Sequence, residues 1–144
     1  MRLSTSIFAL AFLSSPALSA EHIACASFDG LQQADLYVTF NEGRYSGRIE
    51  RVDIPTEYVM LTTEPDADGN SGLLIALPEV KFDRISVSLE NPRNVHIIAD
   101  LQLSRAVAYM HPDDPENDQH VAVVGGTLSL QGTGVWVVTC TGWE

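Results

Sequence analysis

The chain has 144 residues, of which 19 are acidic and 8 basic, so its formal net charge is −11 at pH 7. Hydrophobic residues make up 45% of it, which excludes an intrinsically disordered chain. Lys81 is the only lysine, and this acidic balance argues against nucleic acid as a partner. No apolar run is long enough to insert across a bilayer, and the length fits a single domain.

The first twenty residues have the pattern of a secretory signal peptide. A short positive start precedes the seven apolar residues Ile7–Leu13, and Pro16–Ala20 ends the segment with a helix breaker and small residues. Seven apolar residues are far fewer than the roughly 20 that a membrane-spanning helix needs. The sequence therefore predicts a leader over 1–20, cleaved after Ser19 or Ala20, and a periplasmic or secreted domain over 21–144.

The two cysteines lie near the two ends of the predicted mature chain. Cys25 and Cys140 bracket nearly all of it, and neither has a second cysteine close by, as zinc sites require. An oxidising compartment favours a disulfide between them. Such a bond predicts that the first and last strands are neighbours.

From residue 21 onward, polar and apolar residues alternate as they do in β-strands. Ile85, Val87 and Leu89 place one apolar face along a strand whose other face is polar. Further blocks of strand character are 36–40, 45–49, 57–63, 73–77, 95–103, 121–124, 128–130 and 135–141.

Turn-forming residues separate these blocks at intervals typical of sandwiches and barrels. They fall at 41–43, 65–72, 90–94, 112–119, 125–126 and 132–134. Leu31–Asp35 and Arg105–His111 could each form a short helical turn without changing the class. The prediction is an all-β fold, a single antiparallel domain of about nine or ten strands that is either a small sandwich or a barrel.

Signature motifs of catalysis are missing from the sequence, including the nucleophile elbow, the phosphate-binding loop and the zinc-protease motif. We therefore expect no cofactor and a non-catalytic domain that acts by binding, of inhibitor type or as an envelope accessory protein. The alternatives are a structural or assembly component of the envelope, a small hydrolytic enzyme and an outer-membrane barrel. Such a barrel needs strands of roughly 9–11 residues, and most of the blocks here are shorter.

Two loops concentrate groups of the kind that bind metals. Asp66, Asp68 and Asn70 alternate as at the start of a calcium loop, although the bidentate glutamate and the flanking helices of an EF-hand are missing. His111 and His120 bracket a second, acidic loop that could hold a metal at its neck. A plain turn and a solvated loop are the competing interpretations.

The acidic loop is also a candidate contact surface for a partner. Asp113, Asp114, Glu116 and Asp118 follow one another closely in a loop that also contains Pro112 and Pro115. Exposed carboxylates speed the encounter with a basic protein through charge complementarity. The predicted partner is an unknown protein or small ligand, with a basic protein as the class that this loop would suit.

The number of strands between the two loops decides whether they cooperate. If 94–111 is one long strand, the loops 65–72 and 111–120 lie at opposite ends of the domain, and if it is two strands they lie at the same end. Ser104 and Arg105 contain no turn-forming residue. We therefore expect one long strand and an acidic loop that acts alone.

Overall fold

A computed structural model describes residues 20–65, 72–109, 113–114, 116 and 119–143. Apart from Ala20, the predicted leader lies outside these residues and stays a prediction. The described ranges form nine strands and one turn of 3-10 helix at Glu42–Arg44. The strands are β1 (Glu21–Ser27), β2 (Gln33–Phe40), β3 (Gly47–Pro55), β4 (Met60–Thr62), β5 (Leu74–Val80), β6 (Arg84–Glu90), β7 (Ile97–Tyr109), β8 (His120–Leu130) and β9 (Gly134–Thr141).

The predicted all-β class is confirmed. The strands form one curled sheet and not the two packed sheets of a sandwich. All nine strands pair antiparallel in the order β4-β3-β2-β1-β9-β8-β7-β6-β5, which gives a half-barrel. At the seam between the two edge strands, the Leu73 amide donates a hydrogen bond to the Thr62 carbonyl oxygen at 2.8 Å. Ser46 and Lys81 form a further bridge across the seam. Within the described part of the chain, no helix is long and apolar enough to span a membrane.

The registers define two ends of the half-barrel. The β1–β2, β3–β4, β6–β7 and β8–β9 turns lie at one end, here called the upper end. The β2–β3, β5–β6 and β7–β8 connections lie at the other, the lower end. Because β7 runs unbroken for 13 residues, the residues that flank the 65–72 loop and those that flank the 111–120 loop lie at opposite ends, as expected.

The concave face of the curled sheet holds the hydrophobic core. Alternate residues of each strand point inward, so that Leu36, Val52 and Leu128 are fully buried while their neighbours along the strand face outward. The sequence pattern of period two therefore corresponds to the division between core and surface.

The predicted disulfide is present at the junction of the first and last strands. Cys25 and Cys140 stand directly opposite each other where β1 pairs with β9, and their sulfur atoms are bonded across a sequence separation of 115. The bond joins the two ends of the chain at the centre of the sheet.

The predicted turn at Gly125–Gly126 is wrong. Both glycines lie inside β8, which runs without a break from His120 to Leu130. A methyl group at Gly126 would overlap the carbonyl oxygen of Gln102 on β7. The glycine is therefore needed for the close approach of two strands and not for a reversal of the chain.

The two alternative helical turns are also absent where the structure describes them. The chain turns after Ser27 and enters β2 at Gln33, and Arg105–Tyr109 continues β7 as strand. In both segments, hydrogen bonds to a neighbouring strand replace the local bonds of a helix.

Removal of the disulfide should destabilise the domain strongly. Replacement of Cys25 and Cys140 by alanine should lower the free energy of unfolding by about 2–5 kcal/mol, because the unfolded chain gains the entropy of a long open loop. Urea titration of the variant and of the wild-type protein with and without reductant measures this loss. An unchanged midpoint after complete reduction would contradict the assignment.

Gly126→Ala should lower the free energy of unfolding by about 1–3 kcal/mol, because the added methyl group forces β7 and β8 apart. Thr127→Ala, at an exposed position of the same strand, is the matched control and should change stability by less than about 1 kcal/mol. Thermal and urea unfolding of the two variants give the comparison. An equal loss of unfolding free energy in the two variants would show that the close approach of β7 and β8 does not contribute to stability.

Candidate functional site

The acidic loop stands at the tip of a two-stranded ribbon that projects from the lower end. The last residues of β7, from Arg105 onward, pair with the first residues of β8 beyond the point where β6 begins. Asp113, Asp114 and Glu116 are exposed at its tip, and Asp118 lies outside the described residues. The contact role of this loop stays a prediction.

The predicted metal ligands fall mostly outside the described residues. This is the case for Asp66, Asp68, Asn70 and His111. His120 is described, and its ring lies 5.9 Å from the ring of Tyr109 on the paired strand. Among the residues that the structure describes, no group of three or more His, Cys, Asp or Glu side chains is placed to hold a metal ion.

The lower end of the half-barrel is closed by stacked aromatic and arginine side chains. Trp143 is 3% exposed and stacks on Phe40 at a ring separation of 6.2 Å. The Arg44 guanidinium lies 4.9 Å from the centre of the Phe40 ring, and that of Arg105 lies 5.3 Å from the centre of the Phe82 ring. These contacts place aromatic and arginine side chains across the lower mouth.

The upper end, by contrast, is open. A pocket of about 220 Å³ lies between the β1–β2, β3–β4 and β8–β9 turns. Leu61, Ile98 and Leu130 contribute apolar surface to it. Its other lining residues are Gln32, Thr56, Glu57, Tyr58, Gln131 and Thr133. The upper pocket thus combines an apolar part with polar groups, as ligand sites do.

The β1–β2 turn beside the pocket is held by its own side chains. The Ser27 hydroxyl donates a hydrogen bond to the Asp29 carboxylate at 2.5 Å, and the Leu31 amide donates to the same carboxylate at 3.0 Å. Both bonds lower the pKa of Asp29. Gly30, with φ of +72°, completes the reversal. The exposed Phe28 and Leu31 are therefore carried by a fixed turn.

The β3–β4 turn is fixed in a similar way. The Thr56 hydroxyl donates to the Val59 carbonyl oxygen at 2.7 Å and accepts a hydrogen bond from the Val59 amide at 3.1 Å. A threonine that bonds both groups of one residue locks the reversal. Tyr58 and Met60 thus project from a defined backbone.

Together the two turns carry an exposed apolar surface, here called the upper rim, around the pocket. Its members and their exposed fractions are Phe28 (106%), Leu31 (75%), Tyr58 (86%), Val59 (57%) and Met60 (58%). Tyr58 also lines the pocket, and exposed apolar residues beside a pocket make this end the candidate interaction site. Sequence reasoning missed this site, although an aromatic residue within the turn segment Ser27–Gly30 was a usable signal.

One buried polar atom adjoins the pocket without a partner. The side-chain oxygen of Gln32 is inaccessible to solvent and accepts no hydrogen bond from the described residues. Buried polar atoms in native proteins are nearly always hydrogen-bonded. Gln32 also lines a second depression, between the β1–β2 turn and Pro55–Glu57. This oxygen therefore lies in the wall between the two depressions without a protein partner among the described residues.

The pocket lining that the structure describes contains few titratable groups. Glu57 is the only carboxylate among the residues that line it, and no serine, cysteine or histidine joins it. Comparison of the chain with protein-family models, with curated proteins and with solved structures finds no match.

Neutralising the acidic loop should slow its encounter with basic molecules. We expect the triple variant Asp113→Asn, Asp114→Asn, Glu116→Gln to associate severalfold more slowly with an immobilised oligolysine peptide, and with a weaker salt dependence, because exposed charges steer encounter. Stopped-flow or surface plasmon resonance kinetics at several salt concentrations measure this.

The matched control removes three exposed carboxylates elsewhere, with Glu42→Gln, Glu57→Gln and Asp83→Asn. Equal slowing in the two triple variants would show that only net charge matters and that the loop has no special role.

Proposed function

We propose that this protein is an exported, non-catalytic binding domain, of inhibitor type or an envelope accessory protein, that recognises a partner protein through its upper end. In this proposal an aromatic or aliphatic side chain of the partner enters the upper pocket, and the upper rim packs around it. The observation that carries the proposal is the exposed apolar rim around a pocket that the fold leaves open.

The size of the pocket supports a side chain as the occupant. Sites for drug-sized molecules typically measure about 300–1,000 Å³, whereas the upper pocket measures about 220 Å³. Protein interfaces place a few aromatic anchors in small, well-packed pockets, and these anchors supply most of the binding energy. The dimensions therefore favour one anchor residue of a larger partner.

The rigidity of the two turns supports the same conclusion. Binding loses affinity when loops or side chains must become ordered in the complex. Here side-chain hydrogen bonds at Ser27 and Thr56 already fix the backbone that presents Phe28 and Tyr58. Exposing large apolar groups on a fixed turn costs solubility, and a binding role offsets that cost.

Export is supported by two features of the chain. The leader pattern over 1–20 predicts it, and the Cys25–Cys140 bond is of the kind that persists in oxidising compartments. In such a compartment the partner would be another envelope or extracellular protein.

Indole, which stands in for a tryptophan side chain, is a direct probe of the pocket. Titration followed by amide chemical shifts should give saturable changes at residues 30–33, 56–61 and 131–133, with a Kd of roughly 1–10 mM for a ligand of this size. Tyr58→Ser should weaken binding at least about fivefold, because it removes pocket wall and rim together. Thr133→Trp places an indole ring of the protein itself beside the pocket. Added indole should therefore bind this variant more weakly.

Tyr45→Ser is the matched control, since Tyr45 is 77% exposed but lies at the lower end. It should leave the indole affinity unchanged. Shifts spread over both ends, or equal weakening in the two tyrosine variants, would refute the upper pocket as the site.

A further inference from the structure

Gln32 has a fixed backbone and a side-chain oxygen without a partner. The Ser27 amide donates a hydrogen bond to the Gln32 carbonyl oxygen at 2.8 Å, and the Gln32 amide donates to the Ser27 hydroxyl at 3.0 Å. The side-chain oxygen, by contrast, accepts no hydrogen bond from the described residues. The fold therefore fixes the root of this side chain in the wall of the upper pocket and leaves its acceptor unused.

An unused acceptor in a wall favours a ligand that carries a donor. The Gln32 oxygen is inaccessible to solvent, and a buried polar atom without a hydrogen bond raises the free energy of the folded state. The last torsion of a glutamine side chain is broad, so the amide can turn its oxygen toward a donor in the pocket. The hydrogen bond then formed displaces no bond to water.

The other polar groups of the lining offer a smaller gain. The Thr56 hydroxyl is already bonded to both backbone groups of Val59. The remaining polar lining residues are all exposed, and they are Glu57, Tyr58, Gln131 and Thr133. A ligand donor that meets an exposed group exchanges one hydrogen bond to water for another. Gln32 is therefore the acceptor that gains most when the pocket is filled.

The apolar part of the pocket lies toward the core. Leu130 is 5% exposed and belongs to the core, and Leu61 packs against it. A donor at the far tip of a ring, as in tyrosine, would lie against these apolar side chains without a partner. A donor at the side of a ring, as in tryptophan, faces the wall of the pocket instead.

We infer that the anchor residue of the partner is a tryptophan whose indole N–H donates a hydrogen bond to the side-chain oxygen of Gln32. This inference rests on the proposed function, since it names the residue that enters the upper pocket. Tryptophan is enriched among the residues that supply most of the binding energy of protein interfaces, and its N–H usually has an acceptor when the ring is buried. Here the ring covers Leu61 and Leu130, and the N–H meets the unpaired oxygen.

Two neutral probes that differ in one ring group test the inference on the disulfide-bonded protein. They are N-acetyltryptophanamide and the N-acetyl amide of 3-(benzothiophen-3-yl)alanine, in which sulfur replaces the ring N–H. Amide chemical shifts at residues 30–33 and 56–61 report the binding of each. The tryptophan probe should bind about three- to tenfold more tightly, because its N–H bonds an acceptor that is otherwise unpaired. The benzothiophene ring is more apolar, so burial of apolar surface alone favours the opposite order.

Variants of Gln32 identify the acceptor. Gln32→Met keeps the length of the side chain and removes the oxygen, so the two probes should bind with equal affinity or in reversed order. Gln32→Glu keeps an acceptor and should retain a preference of at least about threefold for the tryptophan probe. Gln33→Met is the matched control, since Gln33 is exposed at the start of β2 and is not among the residues that line the upper pocket. It should leave the preference unchanged, and thermal unfolding verifies that each variant folds.

The outcomes separate this inference from the proposed function. Saturable shifts with equal affinity for the two probes in the wild-type protein would overturn the tryptophan assignment and leave the proposed function standing. Tighter binding of N-acetyltyrosinamide than of the tryptophan probe would also overturn it. A preference that persists in Gln32→Met would assign the donor to another acceptor and reject the role of Gln32. Saturable shifts from none of the probes would reject both the inference and the upper pocket as the site.

Discussion

The pairing of β1 with β9 holds the architecture together. Strands β1–β4 form one run of neighbouring hairpins and β5–β9 form another. Backbone pairing joins the two runs at the β1–β9 ladder and at the seam between the sheet edges. The Cys25–Cys140 bond ties that ladder covalently. Without the β1–β9 ladder, each run would expose its half of the shared core. Neither half would then bury enough apolar surface to be stable alone.

The seam explains how the sheet avoids two exposed edges. β4 has only three residues, and the register of β5 with β6 shifts between Ala76 and Glu79. In between, Leu77 has a positive φ of 48°, and Pro78 has no amide hydrogen to donate. Short, irregular edge strands resist pairing with other chains. The two edges are thereby protected from pairing with another chain.

Local patterns in the sequence predicted the local part of the structure. Alternation identified the strands around Ile85–Leu89, and the two terminal cysteines predicted which strands lie side by side. The failures involve tertiary contacts. Gly126 looked like a turn residue because its role depends on Gln102, a residue distant in sequence. The upper rim was missed because Phe28 and Tyr58 lie on turns that are distant in sequence and reach the same end of the sheet only through strand pairing.

The order of synthesis determines when the β1–β9 ladder can form. β1 is made early and β9 late, since Cys140 follows Cys25 by 115 residues. At roughly 5–20 residues per second, β1 waits about 6–23 s before its partner exists. During that time β2 can cover one edge of β1, while the other edge stays unpaired and open to wrong partners. Completion of the central ladder, and of the covalent bond across it, is therefore a late event that requires β9 to have been made.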